Sequence, residues 1–224
     1  MEVVRSGDLG LFTPNYDIEE SEVGGYLEWL HGEHLPRTLA EGSFSAISHY
    51  EAIGAQKRFQ LLEIMPIYTN FHSNERHVAM KKLPPNVADM MALRLGQVRN
   101  HYAEVSRVNG PSDSSRGTSL AIGPAVCLLR FDVGLDARPG FNAWLGREHY
   151  GGAAKMEGLL SFRRYLAVEG EPANLFLYEF ESPEAMSAGS IEQAWSTSWG
   201  EEISQEVNHS ENSKVLYRRI WRQG

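Results

Sequence analysis

Cysteine is almost missing from this chain: its 224 residues include a single one, Cys127. An intramolecular disulfide and a cysteine-based metal site are therefore excluded. Cys127 lies in the apolar run Ala125-Val-Cys-Leu-Leu129 with no polar neighbour to activate its thiol, so it reads as a buried structural residue. Positive charge is also short, with 21 Lys and Arg against 29 Asp and Glu and a net charge of −8. Nucleic acid, which requires a basic stripe, is a poor partner for such a chain. No apolar run reaches the length of a membrane span, and Met1-Glu-Val-Val-Arg-Ser-Gly-Asp8 lacks the apolar centre of a secretion signal. The expected location is the cytoplasm. A Gly-rich phosphate loop, a GxSxG elbow and an HExxH helix are all absent from the sequence, which argues against nucleotide chemistry, serine hydrolysis and a helical zinc site.

What is present is a repetition. Tyr26-Leu-Glu-Trp-Leu-His-Gly-Glu-His34 returns as Phe141-Asn-Ala-Trp-Leu-Gly-Arg-Glu-His149, at an offset of 115 (149 − 34). In the same register Tyr50 falls on Tyr165 and Ala52 on Ala167. A period this long is the size of a small α+β domain and not of a solenoid unit, which runs about 20 to 50 residues. The polar, Gly/Ser/Pro-rich stretch Asn109-Gly-Pro-Ser-Asp-Ser-Ser-Arg-Gly-Thr-Ser119 falls where a boundary is needed. The division expected is a first repeat at 1–109, a linker at 110–121 and a second repeat at 122–224.

Periodicity orders the second repeat as strand, helix, hairpin, helix, strand. Ala125 to Val133 is the first strand. Phe141, Trp144, Leu145 and His149 then share one side of a helix. Leu159 to Val168 and Asn174 to Phe180 form the hairpin. A helix starting at Ser182-Pro183 is expected to carry Trp195 and Trp199 as far as Asn208, before a last strand at Lys214 to Arg222. The first repeat follows the same order: a strand at Leu9 to Tyr16 broken by Pro14, and a helix from Gly25 to Glu41. A hairpin at Phe44–Ile53 and Arg58–Ile64 is followed by a helical stretch interrupted at Pro84-Pro85 and a strand at Tyr102–Val108. The fold class expected is α+β: two ferredoxin-like βαββαβ repeats whose antiparallel sheets pack face to face as a pseudo-dimeric α+β barrel.

Trp-Leu-x-x-Glu-His on the first helix of such a repeat resembles the EthD-like branch of the dimeric α+β barrel superfamily. That branch's helix carries Trp-x-x-x-His-x-Pro. Here Trp29 and His34 are separated by one residue more, Pro36 keeps the tail, and the second copy has Gly151 in place of the proline. The resemblance implies a pocket between helices and sheet in each repeat, in a family of cofactor-free lyases, dehydratases, decarboxylases and cyclases of small aromatic or polyketide-like molecules. It also contains cofactor-free and haem-dependent monooxygenases, and proteins that only bind.

His34 and His149 are the central candidates, because an imidazole on the apolar side of a helix can exchange protons near neutrality. A core histidine bonded to a backbone carbonyl fits the same position. His49 and Tyr50 are the candidate assistants on the hairpin strand, and alternation lets only one of them face the helices. Trp29, His31, Trp144, Tyr165 and Arg164 are expected to line or bind, Arg164 by a charge-assisted bond to an anionic oxygen. Glu63 and Glu179, within Leu-Glu-Ile and Tyr-Glu-Phe of the third strands, read as carboxylates paired with an arginine such as Arg219, or else as raised in pKa and functional. His31-x-x-His34, with His72 and His77 further on, supports a metal only weakly. The expectation is therefore acid–base catalysis with no cofactor and no metal, on a small aromatic substrate, in a protein that could form a homodimer.

Overall fold

The computed structural model describes residues 3–4, 8–54, 57–116, 121–186 and 188–224. In chain order the first strands are β1 (Val3–Val4), β2 (Gly10–Phe12), β3 (Asn15–Asp17), β4 (Ala46–Ala52), β5 (Phe59–Met65), β6 (Leu95–Val98) and β7 (His101–Asn109). They are followed by β8 (Ala125–Val133), β9 (Leu159–Glu169), β10 (Asn174–Phe180) and β11 (Val207–Gln223). Pro14 separates β2 from β3, as a residue without an amide proton must in a paired strand.

Eight of these strands close a ring in the order β2-β7-β9-β10-β8-β11-β4-β5, every pair antiparallel. The short β2 completes it by pairing with both β5 and β7. The sequence suggested two sheets laid face to face as an α+β barrel; the structure has the barrel, with its strands joined into one continuous sheet. The reason is edge pairing: β4 joins β11 and β7 joins β9, so strands left bare in two separate sheets satisfy each other's backbone groups.

Strand alternation then sorts side chains into three cores. Tyr50, Leu62, Ile64, Tyr102, Val126, Leu128, Tyr165 and Leu177 fill the barrel. Their alternates face outward beneath helices, with Ile47, Phe59, Leu61 and Met65 under the first set and Phe131, Phe162, Phe176 and Tyr178 under the second. The barrel also holds charge. Arg163 bridges Glu179 at 2.5 Å and Glu104 at 3.3 Å, and the Tyr165 hydroxyl donates to Glu104 at 3.1 Å, so the buried ions are mutually compensated. Burial drives the Tyr50 and Tyr165 hydroxyls above their ordinary pKa.

The helices that carry the candidate histidines contain a π-turn. Helix α1 (Val23–Trp29) runs through a π-helical turn at Leu30–His34 into α2 (Leu35–Ala40). There the Leu35 amide donates to the Leu30 carbonyl five residues back. Further along, α5 (Arg138–Trp144), a π-turn at Leu145–His149 and α6 (Tyr150–Ala153) repeat the arrangement 115 positions on (138 − 23, 145 − 30). The extra residue between tryptophan and histidine is thus taken up as a π-turn, which brings residues five apart onto one face. Trp29 stacks on His34 at 4.8 Å and Trp144 lies 4.6 Å from His149.

Elsewhere the helical elements are shorter than periodicity suggests. Between β5 and β6 lie a 3-10 turn at Tyr68–His72, α3 (Asn74–Lys81) and α4 (Asn86–Ala92), with the break at Pro84-Pro85. The Ser182 hydroxyl accepts from the Ala185 amide in a turn and not at a helix start. In place of one helix bearing both tryptophans there are α7 (Ala188–Gln193) and α8 (Ser198–Gln205). Thr197 restarts the helix by accepting from the Gly200 amide at 2.9 Å, which leaves Trp195 in the gap. The start of the linker folds as a 3-10 turn at Asp113–Arg116, and residues 117–120 lie outside the described set. Among the described residues no helix is long and apolar enough to cross a membrane.

Candidate active site

A cavity of about 360 Å³ opens between the first helix pair, β5 and the α3–α4 segment. That is at the small end of the range for sites that take organic ligands. Phe12, Phe44 and Phe71 supply apolar wall, with Met80, Val87 and Met91 opposite. Its polar lining includes His34, Glu63, Arg76 and Arg94.

Glu63 sits on the outward face of β5, between Leu62 and Ile64, which point into the barrel. It is 6% exposed and makes no ion pair or hydrogen bond among the described residues. Burial pushes its pKa up to about 7, even though Arg76 and Arg94 pull the other way. Arg94 is positioned by aromatic hydroxyls: its Nε donates to Tyr26 at 2.6 Å and its guanidinium lies 4.2 Å over the Tyr16 ring. Its Nη2 is buried with no hydrogen-bond partner among the described residues. Arg76 lies over the rings of Phe71, Phe44 and Phe12 at 4.7, 4.9 and 5.9 Å.

His34 reaches the cavity from the π-turn. Its Nδ1 accepts from Arg37 at 2.9 Å, and an arginine can only donate, so the neutral ring carries its proton on Nε2. Burial first, then Arg94 and Arg37, lower its pKa to about 4. At neutral pH His34 is therefore an uncharged hydrogen-bond donor, poorly matched to take a proton itself.

The other candidates are placed as follows. His49 faces the helices and is fully buried, and Tyr50 points into the barrel, where its hydroxyl donates to the Gly123 carbonyl at 2.8 Å. His49 is not on the cavity wall: Tyr16 bonds its Nε2 at 3.1 Å and His31 its Nδ1 at 2.8 Å. His31 lies flat against Trp221 at 5.5 Å. Burial lowers both imidazoles, His31 to about 4 and His49 well below its ordinary value. Tyr16 also interacts with Tyr26, so His31, His49, Tyr16 and Tyr26 form one polar chain ending on Arg94. Trp29 backs His34, with its indole nitrogen unbonded among the described residues.

In the second set, His149 is fully buried with both ring nitrogens occupied, by the Tyr178 hydroxyl at 2.9 Å and the Ala194 carbonyl at 3.3 Å. Burial lowers its pKa to about 3. Trp144, Phe162, Phe176 and Trp195 pack around it with ring centroids 4.6 to 5.4 Å away. Arg164 is held by Asn142 at 2.8 Å and lies over Phe141, while Tyr165 belongs to the barrel network. The environment of His149 does not fit a haem, because neither nitrogen is free to be an axial ligand. The first cavity is too small for a tetrapyrrole and is lined by a buried carboxyl.

Glu63 and Glu179 lie in matching strands but not at matching positions. At an offset of 115 the partner of Glu63 is Tyr178 (178 − 63), and Glu179 is one residue out of register. In a strand that residue reverses the face, so Glu179 points into the barrel, where it pairs with Arg163 and its charge reaches Arg219. Glu63 has no such arginine partner. Arg76 and Arg94 were not singled out from sequence, because what makes them notable is a carboxyl on a distant strand.

No family model and no curated protein matches the chain. Solved structures do match over almost its full length. A provisionally assigned monooxygenase from Fusobacterium nucleatum subsp. nucleatum superposes with a TM-score of 0.65 at 8% identity, covering 97% of this chain and 95% of that one. A provisionally assigned chlorite dismutase gives 0.66 at 10% identity over 96% of each chain. An anthrone oxidase-like protein gives 0.62 at 9% identity over 99% of this chain and 96% of that one. At such identities the likeness establishes the fold alone, a closed antiparallel barrel with outer helices shared with those structures.

Proposed function

We propose that the chain is an acid–base enzyme acting on a small, partly aromatic molecule, with the cavity at His34 and Glu63 as its active site. The observation that carries this reading is a buried, unpaired carboxyl on the cavity wall with a pKa of about 7. Such a group is populated in both forms near neutrality, which is what a general acid–base needs. Glu63 takes the place first assigned to His34, whose pKa of about 4 suits a donor of hydrogen bonds better than a base.

The step has a simple balance. The Glu63 carboxylate removes a proton from a carbon next to a carbonyl, or from a phenol conjugated to one. The electron pair moves onto oxygen, and the resulting enolate or phenolate is held by the free Nη2 of Arg94 and the Nε2–H of His34. Glu63 then returns the proton to carbon or to a leaving group. A dehydratase, lyase or cyclase would reach this anion by that proton removal, whereas a decarboxylase would reach it by loss of CO2, with protonated Glu63 then supplying the proton to carbon. We further read the chain as an internally duplicated, EthD-like protein, supported by helix and π-turn bounds that recur 115 residues apart.

A second reading, a monooxygenase, is favoured by the names of the structural neighbours, one of them anthrone oxidase-like. It would begin with the same deprotonation, with dioxygen then attacking the carbanion. Incubating anthrones, naphthols and aryl β-dicarbonyls with the protein in D2O under argon tests the shared step. Solvent deuterium should enter the acidic carbon with wild-type protein and not with Glu63→Gln. Equal exchange by both proteins would remove Glu63 from the chemistry, and product formed only in air would select the second reading.

A further inference from the structure

At the mouth of the same cavity, three donors from distant parts of the chain converge. His72 ends the 3-10 turn and lines the cavity, His101 opens β7, and Glu169 closes β9. One ligand atom from each lies within 4.8 Å of the other two. His101 and Glu169 are register partners on paired strands, so the barrel itself fixes their spacing. Phe71 packs on His101 at 4.7 Å and on Phe12 at 4.8 Å, which holds the turn bearing His72 against the same place.

Two features set this group apart from an ordinary surface ion pair. His101 is 1% exposed; the Tyr68 backbone interacts with its ring, but neither ring nitrogen meets a partner with full hydrogen-bond geometry among the described residues. A buried imidazole left unsatisfied is unfavourable, which points to a missing partner. The second feature is a distance: His72 Nε2 and Glu169 Oε1 stand 3.3 Å apart. Metal–ligand bonds of about 2.0–2.2 Å in a tetrahedron put neighbouring donors about 3.4 Å apart, so that edge is already near the spacing a zinc-class ion requires.

We propose that His72, His101 and Glu169 form a binding site for a divalent transition-metal ion of the zinc class. Two imidazoles and one carboxylate suit such an ion better than magnesium or calcium, which prefer all-oxygen shells. Three protein donors leave a position for water or a ligand oxygen, the open arrangement of catalytic and not structural sites. His72 also lines the cavity that holds Glu63 and Arg76. Arg76 sets a limit, since its charge reaches His101 and disfavours a cation, but the Glu169 carboxylate opposes it. The site is independent of the acid–base reading: it stands or falls on metal binding alone.

The test uses untagged full-length protein stripped with a chelator and titrated with Zn2+ and with Co2+, by calorimetry and by the visible spectrum of cobalt. The expected result is one equivalent bound, with a cobalt spectrum of low coordination number. His101→Ala should lower affinity at least about 100-fold, exceeding the 10–100-fold cost of losing an outer-shell partner. Glu169→Gln and His72→Ala change exposed residues, so they report on the site even where His101→Ala fails to fold. His77→Ala, a change in a neighbouring exposed histidine, should bind like wild type. Absence of stoichiometric binding, or binding that survives both Glu169→Gln and His72→Ala, would overturn the site.

Discussion

His34 and His149 occupy the same π-turn, behind the same tryptophan, and meet opposite surroundings. His34 faces a cavity lined by Glu63 and two arginines, with one nitrogen left for a ligand. His149 is closed in by four aromatic rings, with Tyr178 on one nitrogen and a backbone carbonyl on the other. Two replacements account for much of the contrast. Tyr178 stands where the first half has Glu63, which turns a titratable wall into a neutral bond. Trp195, 4.7 Å from Trp144, fills space beside the histidine. Where the first half has α3 and α4, their methionines, Val87 and Arg94 leave the space open. One backbone device thus serves packing in one place and, on our reading, chemistry in the other.

Four perturbations sharpen this contrast, beginning with the largest. Glu63→Gln should reduce proton transfer by about 10²–10⁴, the range expected for a positioned acid–base, with little change in KM. Tyr178→Phe at the matching position should leave turnover intact. A comparable loss from both would erase the functional distinction between the halves.

The next perturbation is pH. The folded-state pKa of Glu63 is about 7 against an ordinary 4.5, so between those values the unfolded chain loses this proton while the folded chain keeps it. Stability therefore falls as pH rises through that window, and Glu63→Gln should relieve about 3 kcal/mol of the loss at pH 8 relative to pH 4. Urea titrations of both proteins at the two pH values measure it. His149 carries the opposite sign: lowered to about 3, it contributes stability present above pH 6.5 and lost on acidification.

Trp195→Ala should cost about 3 kcal/mol by emptying the packed side of His149, again without affecting turnover. Thermal or urea denaturation reads the cost, and a gain of ligand binding in the second half would mean that Trp195 alone separates the two. Smallest is Tyr16→Phe, which removes a link between His49 and the tyrosine that holds Arg94. It should raise KM a few-fold while kcat stays close to wild type, as expected if Arg94 binds the substrate oxygen equally before and during proton transfer.

Much of the scaffold is readable from local pattern. Pro14 divides a strand, Pro84-Pro85 divides a helix, and alternation along β9 puts Ser161, Arg163 and Tyr165 on the face opposite Phe162 and Arg164. The additional residue between Trp29 and His34 was visible as a spacing, and its meaning as a π-turn required the backbone. A barrel was expected from the family resemblance, but the strand edges that close it were not legible, because pairing of β4 with β11 and of β7 with β9 joins segments more than 50 residues apart. The site was partly legible. The repeat drew attention to His34, which lines the cavity, whereas arginine pairing, read for both Glu63 and Glu179, holds for Glu179 alone, because one residue of offset in a strand reverses the face. Arg94 carries no local signal, since its importance comes from a carboxyl and two tyrosines far along the chain.

Titration of the Glu63 side-chain carboxyl by carbon NMR, with the resonance assigned by its loss in Glu63→Gln, tests the central claim most directly. A midpoint near pH 7 is the result this account requires. A midpoint at or below 4.5 would mean a permanently ionised carboxylate, and the cavity would lose its acid–base.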